Sequence, residues 1–200
     1  MSPLSHSIAR PLGTELLQIP EVQNRMHRIS LENYHRLSES GVIAEKTELI
    51  RGLVVDKMTI SPRHAILCQF MFSALYEAVG NSCHVRFQLP LPLSDSEPEP
   101  DLAVVAGAMT DYGDEHPSTA AFVIEVAISP SDLDRKKADI YAEAGIPEYW
   151  NVLGDEQQVD VYRSPKQGKY QETSTHRGGE TLTPAGFPKV SVVLNDLFAL

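Results

Sequence analysis

The chain has 200 residues, 42% of them hydrophobic, and sets 17 Lys and Arg against 27 Asp and Glu for a formal net charge of −10. That is enough for one compact domain with its own core, while no apolar run approaches the ~20 residues that span a bilayer and the N-terminus lacks the basic-then-apolar pattern of a secretion signal. The acidity counts against a general nucleic-acid coat, which needs clustered Lys and Arg, and the two cysteines, Cys68 and Cys83, exclude a disulfide framework and give no zinc-ligand spacing. A cytoplasmic protein is expected, with both cysteines read as small buried hydrophobes. Part of the negative charge can belong to a metal site, where a bound ion reverses the local potential. Arg51, Lys57, Arg63, Arg86, Arg135 and Lys136 are available for a local basic rim.

Residues 1–29 carry Pro3, Pro11 and Pro20 without clear periodicity and read as an extended arm. Ser30 then offers an N-cap, Leu31, Tyr34 and Leu37 recur at helical spacing, and Gly41 suits the left-handed position after the helix. TELIRGLVVDKM reads as two short strands around Arg51-Gly52. A second helix starts at Ser61 with Pro62 at its first position and is expected to run to Gly80, with Ile66, Phe70, Leu75 and Val79 on its apolar face. CHVRFQLPLPL is strand-like until its prolines, and SDSEPEP is a stiff acidic connector. DLAVVAG and AAFVIEVAI are near-continuous apolar runs of the kind found in strands buried on both faces.

A helix follows from about Asp132 to Ala144, stopped by Gly145 and Pro147. EYWNVL, QQVDVYR and KYQETS form a meander with turns at Gly154-Asp155 and Ser164 to Gly168, and NDLFAL is one helical turn. The pattern is mixed α/β: residues 30–200 form a single domain whose central mixed sheet is flanked by helices, with a C-terminal β-meander.

Charged residues sit where core residues belong. On the helix after AAFVIEVAI, a rotation of about 100° per residue puts Leu133, Lys137, Ile140, Tyr141 and Ala144 on one face. Lys137 either lays its stem across the core with its ammonium in water or carries a function. Glu125 lies inside VIEVAI, where an unpaired carboxylate is costly. Asp101 opens DLAVV and either binds backbone donors at the strand entrance or joins Glu125, because adjacent strands bring two carboxylates within reach of one Mg²⁺. Glu48 is either an edge-strand surface residue or a third acid of the same site. His64, at the third position of its helix, is either an ordinary half-exposed histidine or a phosphate contact near a helix N-terminus. Acids and one lysine in core-like sequence suit divalent-metal-assisted hydrolysis.

The strings ELIRGLVV, SPRH, PEPDLAVV, FVIEVAISPSD, KADIYAEAGIPEYWNV and VDVYR, in that order over about residues 30–165, resemble the Uma-two family of restriction-endonuclease-like proteins, a branch of the PD-(D/E)XK nuclease superfamily. The most specific match is KxxxYAxAGIPEYW after an EVxSP strand. The resemblance implies a restriction-endonuclease-like fold and a metal-dependent endonuclease. Asp101 matches the aspartate of the PD motif, Glu125 the second acid, Lys137 the lysine, Glu48 an N-terminal glutamate and His64 the histidine of SPxH. In the wider superfamily the lysine stands two residues after the second acid, where this chain has Ala127, so Lys137 is the migrated lysine with Lys136 as the alternative.

In that reading Glu48, Asp101 and Glu125 hold Mg²⁺ or Mn²⁺, Lys137 serves the chemistry, and His64 and Tyr141 face substrate, Tyr141 also helping to hold the lysine. The expected partners are nucleic acid, DNA first, and a second copy of the chain in a homodimer. Lys137→Ala should then abolish cleavage and leave folding and metal binding nearly intact. The rivals are an inactive module that keeps the fold to bind nucleic acid or protein, and a structural subunit in which the EYWNVL segment, with Trp150, pairs across a homodimer.

Overall fold

The computed structural model of the chain describes residues 15–129 and 132–200, so residues 1–14 of the expected arm lie outside the described residues. The rest of that arm holds a short 3-10 turn and a helix, α1 (Pro20–Arg25), with Pro20 at its first position. The elements that follow are α2 (Leu31–Glu39), β1 (Thr47–Ile50), β2 (Leu53–Asp56), α3 (Pro62–Tyr76), β3 (Cys83–Phe87), β4 (Leu102–Ala106), β5 (Phe122–Ala127), α4 (Asp132–Glu143), β6 (Glu148–Leu153), β7 (Gln158–Lys166), β8 (Lys169–Arg177), β9 (Thr181–Leu182), β10 (Val192–Val193) and α5 (Leu194–Phe198).

Six strands form one mixed sheet in the order β3-β4-β5-β6-β7-β8. Only β5 and β6 run parallel, joined through α4, while the other neighbours are antiparallel hairpins or returns. Alternation along the strands divides the core in two. Leu102, Val104, Phe122, Ile124, Val126, Trp150 and Val152 face α3 and α5. Ala103, Val105, Val123 and Tyr149 face the opposite way, toward Ala138, Ile140 and Tyr141 of α4.

Local chemistry explains the ends of these elements. The Ser30 and Ser61 hydroxyls accept from the backbone N–H groups of Asn33 and His64, which caps α2 and α3 as expected. Helix α3 stops at Tyr76, four residues before Gly80, and its buried stripe is Leu67, Cys68, Met71 and Leu75. Ile66, expected inside, is exposed. Burial of Leu67, Met71 and Leu75 contributes about 1.5–3 kcal/mol each.

The turn expected at Ser164 to Gly168 is tighter than the sequence suggests. Strand β7 continues to Lys166, and Gln167 and Gly168, both at positive φ, close the β7–β8 hairpin. Strand β6 lies between β5 and β7 in the middle of the sheet, and Trp150 is fully buried. EYWNVL therefore has no free edge for pairing with another copy.

The β1–β2 hairpin stands apart from the large sheet and meets the acidic connector through a bridge between Leu49 and Glu97. Its turn residues Arg51 and Gly52 have φ of 54° and 74°, the geometry of a two-residue hairpin turn. A side chain at Gly52 would meet Arg28, so the turn requires glycine on grounds of both φ and space. Arg51 holds its own left-handed conformation through its N–H, donated to Ser96 Oγ, and its guanidinium, donated to Glu143 at the end of α4. The hairpin is thereby tied to both the connector and the helix.

Candidate active site: an acidic cluster around a buried lysine

Strand register places the first two acids together. Leu102 pairs with Ile124 across the antiparallel β4–β5 ladder. One step beyond that pair, Asp101 stands beside Glu125. The Val126 N–H donates to Asp101 Oδ2 at 2.8 Å, which fixes the carboxylate against β5. Gln88 Nε2 donates to Oδ1 at 2.9 Å, and His64 Nε2 lies 3.1 Å from Oδ2. Asp101 thus binds a backbone donor at the strand entrance and also stands beside Glu125.

Glu125 projects from β5 toward α4. Lys137 Nζ donates to its Oε1 at 3.0 Å, and Tyr141 Oη donates to the same oxygen at 2.6 Å. Nζ also lies 3.2 and 3.1 Å from the two oxygens of Glu48. Glu48 in turn accepts the backbone N–H of Glu99 at 2.7 Å. Lys137 and Glu48 are each 5% exposed. The ammonium therefore does not reach for water, and Glu48 is not an edge-strand surface residue.

Such burial is tolerable only because the charges satisfy one another. It also changes what is expected of Lys137→Ala, since the substitution leaves the buried Glu48 and Glu125 without their shared ammonium. Lys136, the alternative lysine, is exposed on the outer side of α4. Tyr141 is fully buried and its hydroxyl serves Glu125, so it supports the acid instead of holding the lysine or offering a surface to substrate.

Glu48, His64, Asp101, Glu125 and Lys137 line one cavity of about 480 Å³, with Met58, Ile60, Ile128 and Leu133 among its apolar walls. Burial drives the Glu125 carboxyl up to about 8; Lys137 opposes the rise, and the charges on Asp101 and Glu48 add to it. Burial alone would lower the Lys137 ammonium, but Glu125 and Glu48 together raise it above its ordinary value. One ammonium is thus shared by two carboxylates and does not neutralise the cluster. Asp101 resists the upward pull of burial and stays below its ordinary value because His64, Gln88 and the Val126 N–H donate to it. His64 is raised in return, chiefly by its hydrogen bond to Asp101.

The cluster supplies oxygen donors of the kind a hard divalent cation takes, with Lys137 seated between Glu48 and Glu125. The carboxylates line an accessible cavity, oxygen ligands are what Mg²⁺ and Mn²⁺ prefer, and Glu125 sits in a field that calls for further positive charge.

The expected basic rim is largely spent within the molecule. Arg51 pairs with Glu143, Lys57 with Glu99 and Arg63 with Asp155, while Arg86 is buried against His116. Of the six candidates only Lys57 lines the cavity. Sequence reasoning missed Gln88 and the Glu99 N–H, which no residue pattern marks, and Cys68, whose spacing of four from His64 on a helix was legible.

A six-stranded mixed sheet flanked by helices, with one acid just before β4, one within β5 and a lysine on the crossover helix, agrees with a restriction-endonuclease-like protein. The family model described as Uma2, "Putative restriction endonuclease", matches residues 31–195, and the chain belongs to this family. Among solved structures it is similar to "a putative nuclease belonging to DUF820" from Anabaena variabilis, with a TM-score of 0.71 and 21% identity over 86% of this chain and 98% of the other. That likeness shows the shared fold. No curated protein matches the chain.

Proposed function

We propose that the chain is a divalent-metal-dependent nuclease that hydrolyses phosphodiester bonds in nucleic acid, with DNA as the substrate. The observation that carries this reading is the convergence of Glu48, Asp101, Glu125 and Lys137 on one cavity. Membership of a family described as restriction endonucleases supports it.

Glu48, Asp101 and Glu125 would hold Mg²⁺ or Mn²⁺. When bound, the ion supplies Lewis-acid stabilisation of charge on the phosphate oxygens and activation of water. The protein's own groups do the positioning. Lys137, fixed between Glu48 and Glu125, presents its ammonium where the attacking water is oriented and where charge develops in the pentacovalent transition state. Tyr141 holds the Glu125 carboxylate in place from the buried side. His64 keeps Asp101 ionised and stands at the cavity wall, near the N-terminus of α3, where a phosphate is favoured. The apolar walls limit water around these charges and so strengthen their fields. A cytoplasmic homodimer, with one site for each strand of a duplex, belongs to the same reading.

Calorimetric titration of Mn²⁺ into metal-free protein tests the site. Saturable binding is expected in the wild type and is expected to be lost in Asp101→Ala and Glu125→Ala, each checked for folding by circular dichroism. Binding that survives both substitutions would remove the acidic metal site. Cleavage assays on duplex and single-stranded DNA then separate the enzyme from an inactive binding module. Duplex binding without cleavage, indifferent to both substitutions, would favour the module.

A further inference from the structure

Cys68 lies one helical turn beyond His64 on α3, fully buried, and its side chain meets that of His64, which lines the cavity. Its Sγ is 3.6 Å from His64 Nδ1 and 3.8 Å from Nε2, while Nε2 is 3.1 Å from Asp101 Oδ2. Among the described residues, these three are the group of His, Cys, Asp or Glu side chains whose ligand atoms all lie within 4.8 Å of one another. The geometry points to a second metal site, made by His64, Cys68 and Asp101 and selective for a borderline-soft divalent ion, Zn²⁺ in preference to Mg²⁺. The site shares Asp101 with the acidic cluster but uses none of Glu48, Glu125 and Lys137, so its ligand set does not require the chain to be a nuclease.

Distances support the assignment. Tetrahedral Zn²⁺ with Zn–N and Zn–O near 2.0–2.2 Å and Zn–S near 2.3 Å separates its nitrogen and oxygen ligands by roughly 3.3 Å and its nitrogen and sulfur ligands by about 3.6 Å. Measured from the single nitrogen Nε2, the separations are 3.1 Å to Asp101 Oδ2 and 3.8 Å to Cys68 Sγ, each within a few tenths of an ångström of those values. The donor set decides the metal. A thiolate and an imidazole beside one carboxylate suit Zn²⁺, whereas Mg²⁺ demands oxygen and keeps its waters.

The surrounding groups already orient the carboxylate: Gln88 donates to Asp101 Oδ1 and the Val126 N–H to Oδ2, as outer-shell partners do at metal sites. Three protein ligands leave a fourth position, and because His64 and Asp101 line the cavity, water can fill it. Burial, reinforced by the charge on Asp101, keeps Cys68 a thiol in the absence of metal. Binding therefore forms the sulfur–zinc bond as the thiol proton leaves to solvent.

Co²⁺ is the probe, because a cobalt–thiolate bond produces a charge-transfer band in the near ultraviolet. Full-length protein titrated with Co²⁺ is expected to show a saturable band that Zn²⁺ then erases. The band should vanish in Cys68→Ser and persist in Cys83→Ser, since Cys83 is outside the group, and also in Glu125→Gln, which addresses the acidic cluster alone. Zn²⁺ affinity, read by competition with a chromophoric chelator, should fall in Cys68→Ser by at least the ~10–100-fold that loss of an outer-shell partner costs. If near-ultraviolet dichroism shows Cys68→Ser misfolded, His64→Phe must remove the band with Cys68 still present. A wild type with no band at saturating Co²⁺, a band that survives in folded Cys68→Ser or in His64→Phe, or one lost in Cys83→Ser overturns the site. Loss of Mn²⁺ binding through Glu125→Gln, which leaves His64, Cys68 and Asp101 in place, would leave these readouts unchanged.

Discussion

Lys137→Ala is expected to abolish phosphodiester cleavage and to lower the stability of the metal-free protein by about 3–5 kcal/mol, the range for breaking a buried ion pair by removing one partner. The ammonium lies within 3.2 Å of Glu48 and Glu125, and among the described residues the other lysine or arginine lining the cavity is Lys57, which is paired with Glu99. Without the Lys137 ammonium, Glu48 and Glu125 face each other at the cavity with no cation between them. Adding Glu125→Gln to Lys137→Ala removes one of the stranded charges, so the double variant should regain part of the lost stability, with a coupling of about 0.5–3 kcal/mol. Urea unfolding of the four proteins of this cycle measures the coupling. Unchanged stability in Lys137→Ala would sink the account of a buried, mutually compensating cluster, and unchanged cleavage would remove the lysine from the chemistry.

The second large effect lies in the core. Trp150→Ala should cost about 3–5 kcal/mol, as large aromatic truncations in packed interiors do. The indole packs edge-on against Phe122 with ring centroids 5.0 Å apart, and its Nε1–H donates to Glu148 Oε1 at 2.7 Å. Glu148 is itself buried but also accepts from Arg163 and from the Ala185 N–H. Trp150→Phe therefore keeps much of the packing and leaves Glu148 with other donors, so about 1–3 kcal/mol is expected for it. Equal losses in the two variants, measured by thermal and urea unfolding, would show that the hydrogen bond to Glu148 outweighs the packing.

Much of the architecture was legible because local chemistry and burial agree along the chain. Ser30, Ser61 and Pro62 mark helix starts, and the apolar runs of β4 and β5 are buried on both faces of the sheet. The site was legible wherever a charge interrupts such a pattern: Glu125 within VIEVAI and Lys137 within the apolar stripe of α4 both stand out against neighbours that must be inside. Glu48 was ambiguous for a physical reason. A two-stranded hairpin has no alternation that reveals what covers it, and all of β1 is buried by segments distant in sequence. The stop of α3 at Tyr76 was missed because Glu77, Ala78 and Val79 are compatible with helix; the chain leaves the helix in a turn where the Ala78 and Val79 N–H groups both donate to the Leu75 carbonyl. Gln88 owes its place to a left-handed backbone after β3, a conformation its residue type does not announce.

The division of the cluster between a contiguous β5–α4–β6 unit and a distant hairpin has a consequence for the order of assembly. The contacts of Glu125 with Lys137 and Tyr141 span 12 and 16 residues, whereas Lys137 and Glu48 are 89 apart. Closing the longer loop costs about 2 kcal/mol more in chain entropy than closing the shortest. During refolding, the lysine should meet Glu125 first, and β1 should dock afterwards onto an ammonium already in place. Pulse-labelled hydrogen exchange would then find the amides of β5 and α4 protected before those of β1, and simultaneous or earlier protection of β1 would refute that sequence. The hairpin is in this sense a late-arriving clasp that completes the charge balance of an unfinished interior.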